Sequence, residues 1–266
     1  MKVWTVSNQK GGVGKTTTVV TLGGLLSDWG LKVLLVDLDP HGSLTSYFRI
    51  NPEQAGGSAY NLFQDAMEGK APQTRSCIQP TAVNGLSVLP ATTALASIER
   101  KGSGFEGMGL VISRALAGID PDFDYVLIDS PPSLGVLMIN GLAACNRLIV
   151  PVQTEFLAMK GLERMVATLQ MIYKSRNRAL DYTIVPTLFD RRTSASVQTL
   201  KALREQYPAH LWDSVIPIDT RLRDASQAGL PASICYPGSR AVVAYGALLD
   251  GLMRKERLDE RQVAAG

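Results

Sequence analysis

The sequence predicts an α/β fold in which helices cover both faces of a doubly wound, mostly parallel sheet. Continuous apolar runs, such as residues 33–36 and 125–128, are typical of parallel strands that are buried on both faces. These runs alternate along the chain with segments whose apolar residues recur at helical spacing, as in residues 157–173. A glycine-rich turn at residues 10–16 joins the first strand to the first helix. Together these features indicate one domain built from strand–helix units.

The first half of the chain contains three predicted strands. Residues 3–6 form a β-branched strand, and the apolar helix that opens at Thr16 ends at Trp29 and Gly30. Residues 31–36 form a second strand, which closes on a polar turn. Shorter apolar segments predict the remaining elements of this half, which are a helix at 59–67, a strand at 86–89 and a helix at 91–100.

The second half begins with a glycine-punctuated stretch at 102–109, which leads into a helix that ends near Gly118. Further apolar runs predict strands at 124–129, 147–152 and 182–188 and helices at 157–173 and 239–257. We expect residues 1–258 to form a single domain. The charged residues 259–266 are expected to be a disordered tail.

Composition bounds the class of protein. The 266 residues are 45% hydrophobic and 19% charged, a balance typical of a soluble globular chain that buries a full core. No apolar run approaches the ~20 residues that a membrane-spanning helix needs, and the N-terminus lacks the apolar region of a secretory signal. The three cysteines, Cys77, Cys145 and Cys235, show no C-x-x-C spacing and are expected to be buried in a reducing cytoplasm. Two histidines are too few to favour a histidine-based zinc site.

The glycine-rich turn has the composition of a phosphate-binding loop. Its glycines let successive backbone N–H groups turn inward around phosphate oxygens, and the helix N-terminus adds its positive dipole end. Lys15 can reach the β- and γ-phosphates, and the Thr16 hydroxyl is placed to ligate Mg²⁺. The strict pattern G-x-x-x-x-G-K-[ST] is not met, because Gln9 stands where its first glycine would fall. The residues expected to contact the nucleotide are Gly11, Gly12, Val13, Gly14, Lys15, Thr16 and Thr17. The alternative is an ordinary glycine-rich turn between a strand and a helix.

Three aspartates follow predicted strands at their carboxyl ends, where open α/β sheets bind ligands. Asp37 and Asp39 come after the second strand, and Asp129 follows the four apolar residues at 125–128. An aspartate at the position of Asp129 can hold Mg²⁺ through water beside a bound phosphate. The alternative for Asp37 and Asp39 is a pair of turn and helix-capping carboxylates.

The stretch from Asn8 to Thr17 resembles the deviant Walker A motif of the ParA/MinD ATPases and is close to the ParA/Soj branch. Residues 33–40, 129–135 and 151–162 resemble later motifs of that branch, so the similarity covers nearly the whole chain. It is weakest from residue 51 to residue 120.

The resemblance implies the P-loop NTPase fold, ATP hydrolysis, and bound ATP and Mg²⁺. Thr16, Asp37 and Asp129 would then serve the metal site, Lys15 would hold the phosphates, and Asp39 would position or activate the attacking water. The family usually continues Pro-Gln-Gly-Asn after these aspartates, whereas this chain has a histidine, His41, in the second of those places. We interpret His41 as a tolerated substitution rather than as a catalytic base.

Lys10 is a second lysine, five places before Lys15. In the family such a lysine crosses to the nucleotide of a second subunit, so that ATP joins two protomers in a homodimer and the lysine stabilises transition-state charge. If Lys10 were instead a solvated surface lysine, ATP would not dimerise the protein.

The resemblance also points to DNA that is bound without sequence preference. Two family segments whose arginines contact DNA align with this chain at Arg192 and Arg221, and Arg223 is an additional arginine beside them. Ile218 replaces an arginine and Ser226 replaces a proline of the family pattern. Residues 1–159 carry a net charge of −2 and residues 160–266 a net charge of +5, which permits a polyanion surface in the second part. The alternative is a pair of solvated arginines at helix ends.

The expected function is that of a cytoplasmic ParA-like ATPase, nucleoid-associated when ATP-bound, that positions or segregates a cargo. The partner would be a ParB-like protein on a chromosome or plasmid, or an adaptor on a protein assembly such as a chemotaxis array. One alternative is a membrane-cycling regulator of the MinD/FlhG kind, but residues 254–261 alternate in charge and lack aromatic residues, so no membrane binding is expected. Another is a metabolic P-loop enzyme such as dethiobiotin synthetase.

Overall fold

Within residues 1–51, 56–101, 107–176 and 180–265, which the computed structural model describes, seven strands form one sheet. They are β1 (Lys2–Val6), β2 (Val33–Asp37), β3 (Gln79–Pro80), β4 (Leu86–Leu89), β5 (Tyr125–Asp129), β6 (Arg147–Gln153) and β7 (Asp181–Thr187). Across the sheet their order is β3-β4-β2-β5-β1-β6-β7, and every neighbouring pair is parallel except β3 and β4. The predicted mostly parallel sheet is therefore confirmed.

Helices connect the strands and cover both faces of the sheet. They are α1 (Lys15–Asp28), α2 (Ser43–Tyr47), α3 (Ala59–Met67), α4 (Thr74–Cys77), α5 (Leu95–Lys101), α6 (Val111–Ala117), α7 (Val136–Ala144), α8 (Phe156–Arg176), α9 (Ser194–Gln206), α10 (Arg221–Ala228), α11 (Ala232–Cys235) and α12 (Arg240–Ala265).

Two apolar layers hold these helices on opposite faces of the sheet. In β2, Leu34 and Val36 belong to a buried cluster with residues of α3, α5, α6 and α7, whereas Val33 and Leu35 belong to a cluster with residues of α1 and α12. Successive strand residues point to opposite faces, so a strand that is covered on both sides is apolar at every position. This explains the continuous apolar runs of the sequence.

Helix α12 is fixed to the strand that precedes the glycine-rich loop. The carboxylate of Glu256 is buried and accepts hydrogen bonds from the indole Nε1 of Trp4 at 2.6 Å and from the hydroxyl of Tyr125 at 3.0 Å. One turn from the start of α12, the Tyr245 hydroxyl lies 2.9 Å from the Thr18 hydroxyl of α1. Strand β1 and helix α1 are thus both bonded to the C-terminal helix.

All six predicted strands are present, but several elements differ from the prediction. The sequence did not predict β3, which has only two residues, or the helices α2, α4, α7, α9, α10 and α11. Most of these helices are too short to show a helical period, and α9 buries the polar residues Ser196 and Thr199 in its apolar face. Helix α5 begins at Leu95 rather than at residue 91. Residues 102–106 of the predicted glycine-punctuated stretch lie outside the described residues.

The C-terminal helix is longer than expected. Residues 259–265, predicted as a disordered tail, continue α12 to Ala265, so the predicted domain boundary at residue 258 falls inside a helix. The physical reason is local, because residues 254–265 are mostly strong helix formers and include neither glycine nor proline. In the part of the chain that the structure describes, no helix is both long and apolar enough to cross a bilayer.

Candidate nucleotide and metal site

The loop between β1 and α1 is held open by its glycines. Gly12 and Gly14 adopt φ values of +74° and +89°, in the left-handed region that favours glycine. A Cβ atom built on Gly11, Gly12 or Gly14 meets no heavy atom of the described chain within 4 Å. Among the described residues no side chain caps the N-terminus of α1, so its first backbone N–H groups remain available to an anion. The loop therefore has the shape and polarity that phosphate oxygens need.

Neighbouring elements fix the loop at both ends. The Asn8 side chain donates a hydrogen bond to the Pro151 carbonyl oxygen at 2.8 Å and accepts one from the backbone N–H of Lys10 at 3.0 Å. On the other side, the Thr187 hydroxyl donates to the Val13 carbonyl oxygen at 2.8 Å. Strands β6 and β7 thus position the loop that follows β1.

Lys15 lies inside the loop, with 8% of its surface exposed. Its ammonium group donates to the backbone carbonyl oxygen of Lys10 at 3.3 Å. Burial lowers the pKa of Lys15, and the nearby carboxylates of Asp129 and Asp39 act in the opposite direction. A buried cation bonded to a neutral carbonyl is ready to exchange that contact for a phosphate oxygen.

Asp129 lies beside the start of α1. Its Oδ2 accepts a hydrogen bond from the Thr16 hydroxyl at 2.6 Å. Its Oδ1 is buried and, within the described residues, has no hydrogen-bond partner. Burial raises the pKa of Asp129 to about 8, and the charge of Asp37 adds to this effect. A buried carboxylate oxygen without a partner, next to a threonine hydroxyl, fits a hydrated Mg²⁺.

Asp37 is fully buried and accepts three hydrogen bonds. Its Oδ2 receives the backbone N–H of Thr45 at 2.9 Å and the Thr45 hydroxyl at 2.7 Å, and its Oδ1 receives the N–H of Asp39 at 3.1 Å. Burial raises the pKa of Asp37 to about 6, and the hydrogen bonds from Thr45 oppose this rise. Asp37 therefore orders the loop that follows β2 and carries Asp39.

Asp39 lies in the same loop and is partly exposed. Its Oδ1 accepts the backbone N–H of His41 at 3.0 Å and lies 2.8 Å from the His41 ring Nδ1. The His41 side chain is exposed. The structure brings Asp39 near Lys15 and Asp129, close enough for its charge to affect their pKa values.

Lys10 forms an ion pair with Glu155 of its own chain. Glu155 directly precedes α8, whose first residues Phe156 and Leu157 are 75% and 64% exposed. The role of Lys10 at a second subunit stays a prediction. Its intramolecular partner and the exposed apolar residues beside it could not be read from the loop motif.

A cleft of about 460 Å³ opens beside Gly14, Thr16 and Thr17. Its other walls come from residues that follow β7 and from the C-terminal part of the chain. The sequence did not predict these residues as nucleotide contacts. They include Leu188, Ile216, Pro217, Ile218, Asp219, Thr220 and Tyr245. The fold brings them together because the N–H of Ile216 bonds to the Pro186 carbonyl oxygen at 2.8 Å. Leu188 adopts a φ of +52°, which is uncommon for a leucine. The cleft has the size and the apolar lining that a nucleoside requires.

The three predicted DNA-binding arginines have different local surroundings. Arg192 is exposed and bonds to the carboxylate of Asp190 at 2.7 Å, which lowers the pKa of Asp190 to about 2. Arg221 begins α10, and its guanidinium lies 4.8 Å from the ring centre of Tyr236. Arg223 lines the nucleotide cleft. A second depression of about 420 Å³ contains Arg192 together with Arg191 and Arg240, which the sequence did not single out.

The metal site involves few protein ligands. Considering only the described residues, no group of three or more His, Cys, Asp or Glu side chains could hold an ion. Mg²⁺ does not need such a cage, because it usually keeps several waters and binds one or two carboxylates together with substrate phosphates.

Comparison with known proteins supports this interpretation. A family model described as an AAA domain matches residues 1–182. The chain is 35% identical over 245 residues to the Sporulation initiation inhibitor protein Soj of Bacillus subtilis, which covers 92% of this chain and 95% of that protein. It is 34% identical over 268 residues to the Chromosome partitioning protein ParA of Caulobacter vibrioides, which covers 100% of this chain and 98% of that protein.

A solved structure has a similar fold. The crystal structure of cobyrinic acid a,c-diamide synthase from Mycobacterium smegmatis, with bound ATP analog and magnesium, is 34% identical and superposes with a TM-score of 0.82. The superposition covers 97% of this chain and 96% of that chain. The predicted P-loop NTPase fold is therefore confirmed.

Replacing Asp129 by asparagine should raise stability and weaken metal-dependent binding at once. The carboxylate ionises at higher pH in the folded chain than in the unfolded chain, so its burial costs stability increasingly as the pH rises to about 8. The neutral amide avoids this cost, and we expect the melting temperature of the ligand-free variant to rise by roughly 2–4 °C at pH 8 and by less at pH 5. The exposed variant Asp250→Asn is the control. A lower melting temperature for Asp129→Asn, or an unchanged effect of Mg²⁺ on nucleotide affinity by calorimetry, would contradict the assignment.

Proposed function

The chain belongs to the ParA/Soj family of ATPases, and on this premise we propose that its strand-end cluster binds ATP with Mg²⁺ and hydrolyses it. Hydrolysis is slow and is stimulated by a partner protein. The ATP-bound chain is a homodimer that associates with the nucleoid by binding DNA without sequence preference, and it thereby positions or segregates a cargo. The observation that carries this proposal is the open glycine loop, with Lys15 inside it and the Thr16–Asp129 hydrogen bond beside it.

Each residue of the cluster has a separate task in hydrolysis. Lys15 holds the β- and γ-phosphates, Thr16 and Asp129 hold the hydrated metal, and Asp39 orients the attacking water. Mg²⁺, when bound, neutralises charge on the phosphate oxygens. Asp37 supports the metal site, and its three hydrogen bonds order the loop that carries Asp39. The cleft beside Gly14 receives the nucleoside.

Dimerisation is supported by the surface around Lys10. Within the described residues, Phe156 and Leu157 are the most exposed large apolar side chains, and they directly follow Glu155, the ion-pair partner of Lys10. Leu134, in the loop after Asp129, is 47% exposed. Exposed apolar residues beside a charged pair are typical of a surface that meets a partner. In the dimer Lys10 leaves Glu155 and reaches the phosphates of the other protomer.

DNA binding is supported by the arginines of the C-terminal part. Arg191, Arg192 and Arg240 line one depression, and Arg221 stands at the start of α10. Arginine side chains of this kind bind phosphate oxygens without reading base sequence.

Hydrogen bonds connect α10 to the metal side of the nucleotide site. Helix α2 follows the loop that carries Asp39, and just after it the Arg49 guanidinium donates to the Gln227 carbonyl oxygen at 2.8 Å. The Tyr47 hydroxyl of α2 donates to the Leu230 carbonyl oxygen at 3.0 Å. A change in the loop after β2 would therefore act on the helix that carries Arg221 and Arg223.

A second candidate function is the activation of a small molecule by ATP. It is favoured by the likeness to the Mycobacterium smegmatis structure, which is named as a cobyrinic acid a,c-diamide synthase. An ATP-dependent dimer that binds DNA would support the partitioning function over this candidate. The nature of the cargo follows from the partner, either a ParB-like protein or another adaptor.

The variant Lys10→Ala should bind ATP like the wild type, because this lysine contacts only the nucleotide of the other protomer. For the same reason the variant should not dimerise with ATP. A cation supplied in trans contributes roughly 10³–10⁵ to the rate in analogous phosphoryl-transfer sites, so stimulated hydrolysis should fall by about that factor. Light scattering with and without ATP measures the dimer, and the exposed Lys201→Ala is the matched control. An ATP dimer of Lys10→Ala would return Lys10 to the role of a surface lysine.

The ATP dimer should bind double-stranded DNA with a strong dependence on salt. If Arg192 and Arg221 of each protomer contact phosphates, log K should fall with log[salt] with a slope of about −3.6. The variant Arg221→Glu should lose most of this binding and keep its ATPase activity, whereas Arg204→Glu, on the exposed face of α9, should lose much less. Fluorescence anisotropy across a salt series measures both. If the wild-type ATP dimer has no DNA affinity even at low salt, the proposed partitioning function is wrong.

A further inference from the structure

A carboxylate from outside the nucleotide site lies against the loop that follows Asp129. Glu99 belongs to α5, and its Oε1 accepts a hydrogen bond from the backbone N–H of Leu137 at 3.2 Å. Leu137 is the second residue of α7, and the residue at the N-cap, Gly135, has no side chain that could cap the helix. Glu99 therefore supplies from another helix the acceptor that the N-terminus of α7 needs.

Gly135 leaves room for this contact. A Cβ atom at Gly135 would lie 1.7 Å from Oε2 of Glu99 and 2.6 Å from its Cδ. The φ of Gly135 is −144°, which any residue can adopt, so the backbone conformation does not require glycine here. In this arrangement the Glu99 carboxylate occupies the place that a side chain at position 135 would take.

The packing of α5 keeps Glu99 in this position. The adjacent Ile98 and, one turn earlier, Leu95 are buried in the same apolar cluster as Leu137. Burial raises the pKa of Glu99, and the hydrogen bonds from the N–H groups of Leu137 and Val136 oppose this rise. The positive end of the α7 dipole also favours a carboxylate at this point.

We propose that Glu99 is a positioning residue for ATP hydrolysis, which holds the end of the loop between Asp129 and α7. The start of this loop is fixed by Asp129, which faces the metal site, and by the Ser130 hydroxyl, which donates to the Val6 carbonyl oxygen at 3.1 Å. Glu99 fixes the other end at Gly135 and Leu137. The four residues between them, 131–134, then respond to the γ-phosphate as one short tethered segment. This inference rests on the proposed hydrolysis of ATP.

Kinetics of three variants test the proposal. Glu99→Ala removes the acceptor, Glu99→Gln keeps a carbonyl oxygen of similar reach, and Arg100→Ala changes the exposed neighbouring residue of α5 as a control. We expect Glu99→Ala to lower kcat about tenfold while the Kd for ATP stays within about twofold, because the loop is misplaced and the phosphate contacts are not. Glu99→Gln should recover most of kcat. Equal kcat values for Glu99→Ala and Arg100→Ala would overturn the proposal, and so would a Glu99→Gln variant as slow as Glu99→Ala.

Amide hydrogen exchange tests the same contact without relying on turnover. With Mg²⁺ and ATP present, the amides of residues 136–139 should exchange at least about fivefold faster in Glu99→Ala than in Arg100→Ala, since Val136 and Leu137 lose their acceptor and the first turn of α7 loses its cap. The amides of α1 should be unchanged. Unchanged exchange at residues 136–139 would overturn the inference even if wild-type hydrolysis were normal. If Glu99→Ala shows the expected faster exchange but the wild type hydrolyses no ATP, the contact is present and the proposed function is contradicted instead.

Discussion

The parallel register of β5 against both β1 and β2 is the constraint on which the site depends. It places Asp129 opposite Val6 on one side and opposite Asp37 on the other. Val6 is the last residue of β1, so the glycine loop and two aspartates that are far apart in the chain meet at one edge of the sheet. A slip of one residue in this register would point an aspartate side chain into one of the apolar layers. Because both faces of the strands are buried, such a slip is strongly disfavoured.

The site concentrates charges that are costly to bury in the absence of a ligand. Burial raises the pKa values of Asp37 and Asp129 to about 6 and about 8, and it lowers the pKa of Lys15. A divalent cation and a phosphate chain supply the opposite charges that these groups lack. Ligand binding should therefore also stabilise the folded chain. The hydrogen bonds of Asn8 and Thr187 hold the glycine loop in place beside these charges.

The sequence predicted the parts of the site that are contiguous in the chain. Lys15 and Thr16 follow from the loop motif, and Asp37 and Asp129 follow from their places at strand ends, where a parallel sheet gathers its functional residues. The partners that come from distant segments could not be predicted, because no local pattern marks them. Glu155 beside Lys10 and Glu99 beside Gly135 are ordinary surface residues in the sequence. The cleft residues Leu188 and Pro217 become neighbours through the bridge between Phe189 and Pro217 and the hydrogen bond from Ile216 to Pro186.

The two lysines of the loop allow the most direct test of the account. Lys15 is assigned to the nucleotide of its own chain and Lys10 to that of a second chain, although five positions separate them. Titration calorimetry with Mg²⁺ and ATP, at a protein concentration low enough to keep the wild type monomeric, should show that Lys15→Ala loses at least about 100-fold in affinity, since a buried charge-assisted contact to phosphate is lost. Lys10→Ala should bind within about twofold of the wild type. Retention of ATP affinity by Lys15→Ala, or an equal loss in both variants, would contradict the assignment of the site.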